Sequence, residues 1–437
     1  MSGRARPAGR MESAGLHGNV LSHLSQHQLS RRTLLGGLLG TAAGVGLQCA
    51  IPSAIAGELK SQRKQLLIIN HSGGLSQLES WDPKPGTDTG GPLSRISTSV
   101  PGIQISEWLP YTAQQVHRLT ILRSLSTGEN DHGPGHYLMM TGRRIQTGFL
   151  YPTLPCWTHQ AVTPAAHPVP GYISIGGGDR EAAFLGVQYD PVKVLVGKPL
   201  DNVDRPASIS EESSLRRLML RQRINGRFLK QRVTADTAAY SQSFEQAVQL
   251  VRNKTLFDLT QEPASDHDRY GRHEMGQQCL LARRLLQQGV TCVRVTHPGY
   301  DTHAENFNVH LDLLEQFDRP FACLIEDLAA RGLLANTLVV CMGEFGRTPN
   351  INTRMGRDHW SGTWSAAFAG LSIPQGKVVG STNDTGVEVV DTKVTSPDLF
   401  HSLLTVLGID PTQKLSVEGQ EIPLADPAGI AVTELLG

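Results

Sequence analysis

The chain has 437 residues, 39% of them apolar and 18% charged, with 45 Gly and 25 Pro, which excludes a disordered or fibrous protein and fits a loop-rich globular one. Basic and acidic residues balance at 40 each, but residues 1–56 hold five arginines and one acid, so the remainder carries 35 basic against 39 acidic residues, a net of −4. With aromatics at only 5%, this predicts no electrostatic footprint for nucleic acid or an anionic membrane, and no platform for stacked bases.

Within the first 56 residues stand Ser30-Arg31-Arg32-Thr33-Leu34-Leu35, a glycine- and alanine-rich apolar stretch to about Ile51, and Ala54-Ile55-Ala56. A basic region, an apolar region and a small-residue cleavage site, in that order, predict a twin-arginine signal peptide over 1–56. Its partner is the twin-arginine translocase, and its destination is the periplasm or the exterior. The glycines make the stretch a poor membrane anchor, and no other run is long enough to span a bilayer. Residues 57–437, which show no internal repeat or low-complexity linker, are then expected to form one domain. Apart from Cys49 the cysteines are Cys156, Cys279, Cys292, Cys323 and Cys341, an odd set without a CxxC pair, and they read as small buried hydrophobes.

Short apolar runs at 65–70, 119–125, 172–175, 291–296, 337–342 and 365–370 predict strands. Helical patterns cover most of 211–260 and then 272–288, 304–331 and 397–407. Alternation of the two predicts an α/β protein with a mostly parallel sheet covered on both faces. Ligands of such sheets sit beyond the carboxyl ends of the strands. Four polar clusters follow strands there: Asn70-His71-Ser72, residues 126–132, residues 297–303, and Glu344.

In Asp301-Thr302-His303, residues at i and i+2 of extended backbone point to one side. That pair either chelates a divalent metal or works as an oriented acid–base pair, against the plainer reading of a helix cap. Glu344 and Arg347 join a carboxylate to a guanidinium suited to phosphate or sulfate, or else form a loop-organising ion pair. Asp358-His359 is a second acid–imidazole pair. His310, two turns after His303, reads as a core histidine. Densest is Asp131-His132-Gly133-Pro134-Gly135-His136, followed by Thr141-Gly142-Arg143, where glycine-rich backbone opening a helix offers N–H groups to an anion.

Taken with Gly73-Gly74-Leu75-Ser76-Gln77, Trp81-Asp82-Pro83-Lys84-Pro85 and Glu344-Phe345-Gly346-Arg347, these motifs resemble the exported proteins of domain-of-unknown-function family 1501, in the alkaline phosphatase–sulfatase superfamily. The resemblance covers nearly all of residues 57–437. It implies a three-layer α/β/α sandwich, hydrolysis or transfer of phosphate or sulfate esters, and bound divalent cations. His132-Gly133-Pro134-Gly135-His136 with Thr141-Gly142-Arg143 is similar to the C-x-P-S-R…T-G-R segment of sulfatases and the S-E-V-G-H…G-R segment of cofactor-independent phosphoglycerate mutase. Both comparisons set His132 where the nucleophile stands. Two departures point to one metal ion (zinc, manganese or calcium) rather than two: Asn70-His71 replaces a metal-binding Asp, and Gly343-Glu344-Phe345-Gly346 replaces Ser-Asp-His-Gly. The implied site has Asp301, His303, Glu344, Asp358 and His359 on the metal. His132 is nucleophile or ligand, with Asp131 and His136 beside it, and Arg143 or Arg347 steadies the anionic group of a small-molecule or glycan ester. The alternative is a binding protein for sulfated or phosphorylated glycans that does not turn them over.

Overall fold

The first strand, β1 (Gln65–Ser72), shows why this chain builds a covered sheet: its run of Leu66, Leu67, Ile68 and Ile69 is wholly buried. Successive strand residues point to opposite faces. Leu66 and Ile68 accordingly join one hydrophobic core, and Leu67 and Ile69 the other. A computed structural model describes residues 62–164, 167–198, 208–231, 235–417 and 419–437. All belong to the unit Gly46–Gly437. The twin-arginine leader at 1–56, with Cys49, lies outside the described residues.

The other strands of the main sheet are β2 (Leu119–Leu125), β3 (Tyr172–Ile175), β4 (Val192–Val194), β5 (Cys292–Pro298), β6 (Thr337–Met342), β7 (Trp364–Ala369) and β8 (Lys377–Val379). Their spatial order is β8-β2-β7-β6-β1-β5-β3-β4. All run in one direction except β7, which pairs antiparallel with both β2 and β6. One core packs the helices α1 (His132–Thr141), α2 (Leu154–Val162) and α8 (Ser396–Leu407) on the sheet. The opposite core packs α6 (Glu274–Gln287) and α7 (Asn306–Ala330). The fold is thus the expected α/β sandwich of three layers. Between them in sequence lie α3 (Glu211–Gln231), α4 (Ala235–Arg252) and α5 (Ala264–Tyr270).

Register decides where the chemistry sits. Asn70 of β1 is level with Thr296 of β5 and Met342 of β6. The loops that follow these three central strands therefore leave the same sheet edge side by side. β2 runs the same way, so the segment leading to His132 emerges on that edge too. The five cysteines among the described residues are free and buried, as their apolar surroundings predict. Among the described residues no helix is long and apolar enough to cross a membrane.

Candidate metal centre

Adjacent residues of the β5 loop face opposite ways: Tyr300 is fully buried, while the Asp301 side chain is 47% exposed. Gly73, at φ +110°, lets the β1 loop lie flat against this turn, since a Cβ there would stand 2.5 Å from the Asp301 amide nitrogen. Arg347 pins Asp301 from below, its Nη2 donating to Oδ1 at 2.8 Å. The same guanidinium donates to the carbonyls of Gly73, Gly74 and Arg357. Gln77 brackets the Arg347 backbone, accepting from its N–H at 3.1 Å and donating to its carbonyl at 2.9 Å. Arg347 is completely buried. It was expected to steady an anionic ester, but its donors are committed to Asp301 and to backbone, so it positions the carboxylate instead. Partial burial alone would raise the Asp301 carboxyl; the hydrogen bond and charge of Arg347 outweigh it and hold the pKa well below the ordinary value.

Three imidazoles surround this carboxylate, from three different segments. His359 Nε2 lies 3.0 Å from Asp301 Oδ1, His303 Nε2 lies 3.1 Å from Oδ1, and His132 Nε2 lies 3.3 Å from Oδ2. His303 Nε2 and His359 Nε2 are 3.0 Å apart. One ligand atom each from His132, Asp301 and His359 lies within 4.8 Å of the other two. Each imidazole is anchored through its other nitrogen: His359 Nδ1 donates to the Asn130 carbonyl at 2.6 Å, His303 Nδ1 to Asp358 Oδ1 at 2.6 Å, and His132 Nδ1 to Glu344 Oε1 at 2.8 Å. Glu344 Oε1 also accepts from the Gly73 N–H at 2.8 Å, which marks it as an acceptor. Phe345 forms the floor, its ring centroid 5.0 Å from that of His132 and 4.5 Å from that of His359.

This arrangement tests whether a cation fits. With the proton on Nδ1 of every ring, each Nε2 presents a lone pair. A lone pair and a carboxylate oxygen at about 3 Å repel unless a proton or a cation lies between them. Three imidazole nitrogens and one carboxylate oxygen are a donor set suited to zinc or a similar divalent ion. An acceptor behind each ring fixes the tautomer and raises ligand basicity, the usual outer arrangement of metal-bound histidine. In the absence of a cation, protonating an imidazole relieves the contact; the bond to Glu344 accordingly raises the His132 pKa despite partial burial. His132, Asp301 and His359 fit a divalent ion, and His303 borders them, 3.0 Å from His359 and 3.1 Å from Asp301.

The remaining predicted residues fall differently. Asp358 and Glu344, expected on the metal, sit one layer out and hold the Nδ1 atoms of His303 and His132. His132, expected as nucleophile or ligand, points its Nε2 into the cluster. His136 is one turn further along α1 and half-buried, with no hydrogen bond to the cluster; burial and nearby Arg294 push its pKa down. Asp131 is exposed ahead of α1, and its contacts are those of its backbone: the carbonyl accepts from the Gly135 N–H at 2.7 Å and the N–H donates to Glu129 Oε1 at 3.2 Å. Arg143 is not brought to the cluster: its guanidinium donates to the carbonyls of Pro423 and Ala425 and lies over the Tyr151 ring. Arg357 is buried against Glu79 at 2.8 Å. Asn130 belongs to the predicted polar cluster at 126–132, but its role there had no residue-type signal, because what it offers His359 is a backbone carbonyl. Sequence reasoning missed Gln77 as the clamp on Arg347, although Gln77 stands in a quoted motif.

Residues 63–436 match the family described as "Protein of unknown function (DUF1501)". The chain belongs to that family. Among curated proteins none matches this DUF1501 chain in sequence. Its fold resembles several solved structures. A sulfatase, PsFucS1 from Pseudoalteromonas sp., is 13% identical over 89% of this chain and 77% of its own, with a TM-score of 0.35. The lipoteichoic acid synthase LtaP from Listeria monocytogenes is 9% identical over 85% and 80%, at 0.35. The C-terminal periplasmic domain of EcEptC from Escherichia coli, solved with Zn, is 10% identical over 83% and 92%, at 0.37.

Proposed function

We propose that this DUF1501 protein is a metal-dependent hydrolase of phosphate or sulfate esters. The observation that carries the reading is the convergence of three Nδ1-anchored imidazoles on one carboxylate, at 3.0–3.3 Å, in a half-exposed setting. His132, Asp301, His303 and His359 would hold one divalent ion, which when bound supplies Lewis acidity toward an ester oxygen and acidifies a water. Arg347 holds Asp301 ionised and fixed. Asp358, Glu344 and the Asn130 carbonyl keep each Nδ1 protonated, so that each Nε2 is available for bonding. Phe345 excludes water from beneath His132 and His359. The anionic group of the substrate enters from solvent, on the side where Asp301 and the His132 and His303 rings are exposed. On this reading His132 is a ligand rather than a nucleophile. The twin-arginine sequence at Arg31-Arg32 further suggests that the protein works in the periplasm or outside the cell.

One observation favours the second reading, a binding protein for anionic glycans: no hydroxyl or thiol of the described residues is bonded into the cluster to serve as a nucleophile. Aryl phosphate and aryl sulfate esters offered to the zinc- and manganese-loaded protein separate the two. Turnover that a chelator abolishes and that His132→Ala loses, with folding intact by circular dichroism, is the expected result. Saturable binding of the esters without product establishes the second reading instead.

A further inference from the structure

The average charge of the chain conceals a strongly polarised helix. In α3, Arg216, Arg217, Arg221, Arg223 and Arg227 fall within three turns, and no acid occurs between Glu212 and Asp236. Arg221 turns inward over the Phe244 ring of α4. At 100° per residue, Arg216, Arg223 and Arg227 share an arc of about 40° on the opposite side, and all three are exposed. Leu215 and Met219 flank that arc on one side, Leu220 and Ile224 on the other. Their exposures are 44%, 66%, 58% and 55%. Among the described residues the charge partner on this face is the exposed Glu212, 3.1 Å from Arg216 and worth little in water.

We propose that α3 lays this face on an anionic phospholipid bilayer. The four apolar side chains leave water for the boundary of the acyl chains. The arginine stems lie along them while the guanidinium groups reach outward to lipid phosphates. Charge decides between occupants: a second copy of this chain would set arginines against arginines across a two-fold axis, and a soluble polyanion would satisfy the arginines but leave Met219, Leu220 and Ile224 in water. An anionic bilayer satisfies both halves of the face. This attachment is peripheral and needs no membrane-spanning segment.

The test is co-sedimentation of the full chain with vesicles of phosphatidylcholine alone or mixed with phosphatidylglycerol. Binding is expected only to the phosphatidylglycerol vesicles and is weakened by salt. A variant with Arg216, Arg223 and Arg227 changed to Gln loses about a hundredfold in partitioning. A variant with Met219, Leu220 and Ile224 changed to Ser loses at least about tenfold. All six positions are exposed, so unchanged circular dichroism and melting temperature confirm that both variants fold. Equal binding to both vesicle types, no binding to either, or unaltered binding by either variant overturns the proposal. So does heparin binding without vesicle binding, or a dimer in sedimentation velocity that the serine variant disperses.

Discussion

Tyr300 and Asp301 are neighbours in one loop, and each is encircled by three histidines. Around Tyr300, the rings of His71, His297 and His310 stand with centroids 5.0, 5.3 and 5.4 Å from the phenol ring. Around Asp301 stand His132, His303 and His359. The inner trio is sealed in the core. Burial drives His71 well below its ordinary pKa and holds His297 and His310 at about 4. Their contacts are those of neutral rings: His297 Nδ1 meets the Tyr300 hydroxyl at 3.0 Å, and His310 Nε2 accepts from the Ser76 N–H at 3.0 Å. The outer trio is partly exposed and faces a carboxylate held ionised by a buried arginine. Residue type is identical in the two trios; what differs is the charge at the centre and the access of water. The inner set reads as packing, the outer as a site.

Four variants or conditions sharpen that contrast. The largest effect is expected from Asp301→Ala, which removes the one anionic ligand: affinity for a divalent ion, read by competition with a chromophoric chelator, should fall by more than about a hundredfold. Retained affinity would break the assignment of the outer trio. Next comes acid stability. Unfolded histidine titrates near 6.5 and His297 and His310 at about 4, so the unfolded chain binds more protons between these values. The stability they confer is fully present above about pH 6.5 and is lost as pH falls toward 4; near pH 5 the loss is about 2 kcal/mol for each. Urea melts of the Asp301→Ala chain at about pH 7 and about pH 5 measure this without metal release, and a flat profile would contradict the neutral inner trio. Asp358→Asn keeps the shape but weakens the anchor on His303, and should cost about 10–100-fold in metal affinity by the same competition assay. The smallest effect is that of Tyr300→Phe, which leaves His297 Nδ1 without its partner: about 1–3 kcal/mol in the urea melt, with metal affinity unchanged.

Much of the sheet was legible because its strands are continuous apolar runs, buried on both faces. Residues 119–125, 172–175 and 337–342 coincide with β2, β3 and β6, and 291–296 lies one residue off the start of β5. Placement of the polar clusters at one sheet edge followed from strand order alone. Helix α2 escaped because Leu154–Val162 is short and buried on every side, so its polar Thr158, His159 and Gln160 mark no solvent face. The reversed direction of β7 left no mark in its sequence, since a strand buried on both faces reads the same either way. Within the site, residue types showed that acids and histidines gather, but not which layer each occupies. Asp358 and Glu344 are as good a pair of ligands on paper as Asp301. The fold sets them behind imidazole Nδ1 atoms. Arg143, in a Thr-Gly-Arg match to sulfatases, is turned away by two carbonyls near the end of the chain that no local pattern announces.

The central claim is that His132, Asp301, His303 and His359 bind one divalent ion. Elemental mass spectrometry of the gel-filtered protein tests it most directly, before and after incubation with zinc, manganese and calcium. About one ion per chain, lost in His303→Ala while the fold persists, is the result expected of a structural or catalytic site of this kind. A protein that holds none of the three metals, or holds them equally well without His303, would contradict it.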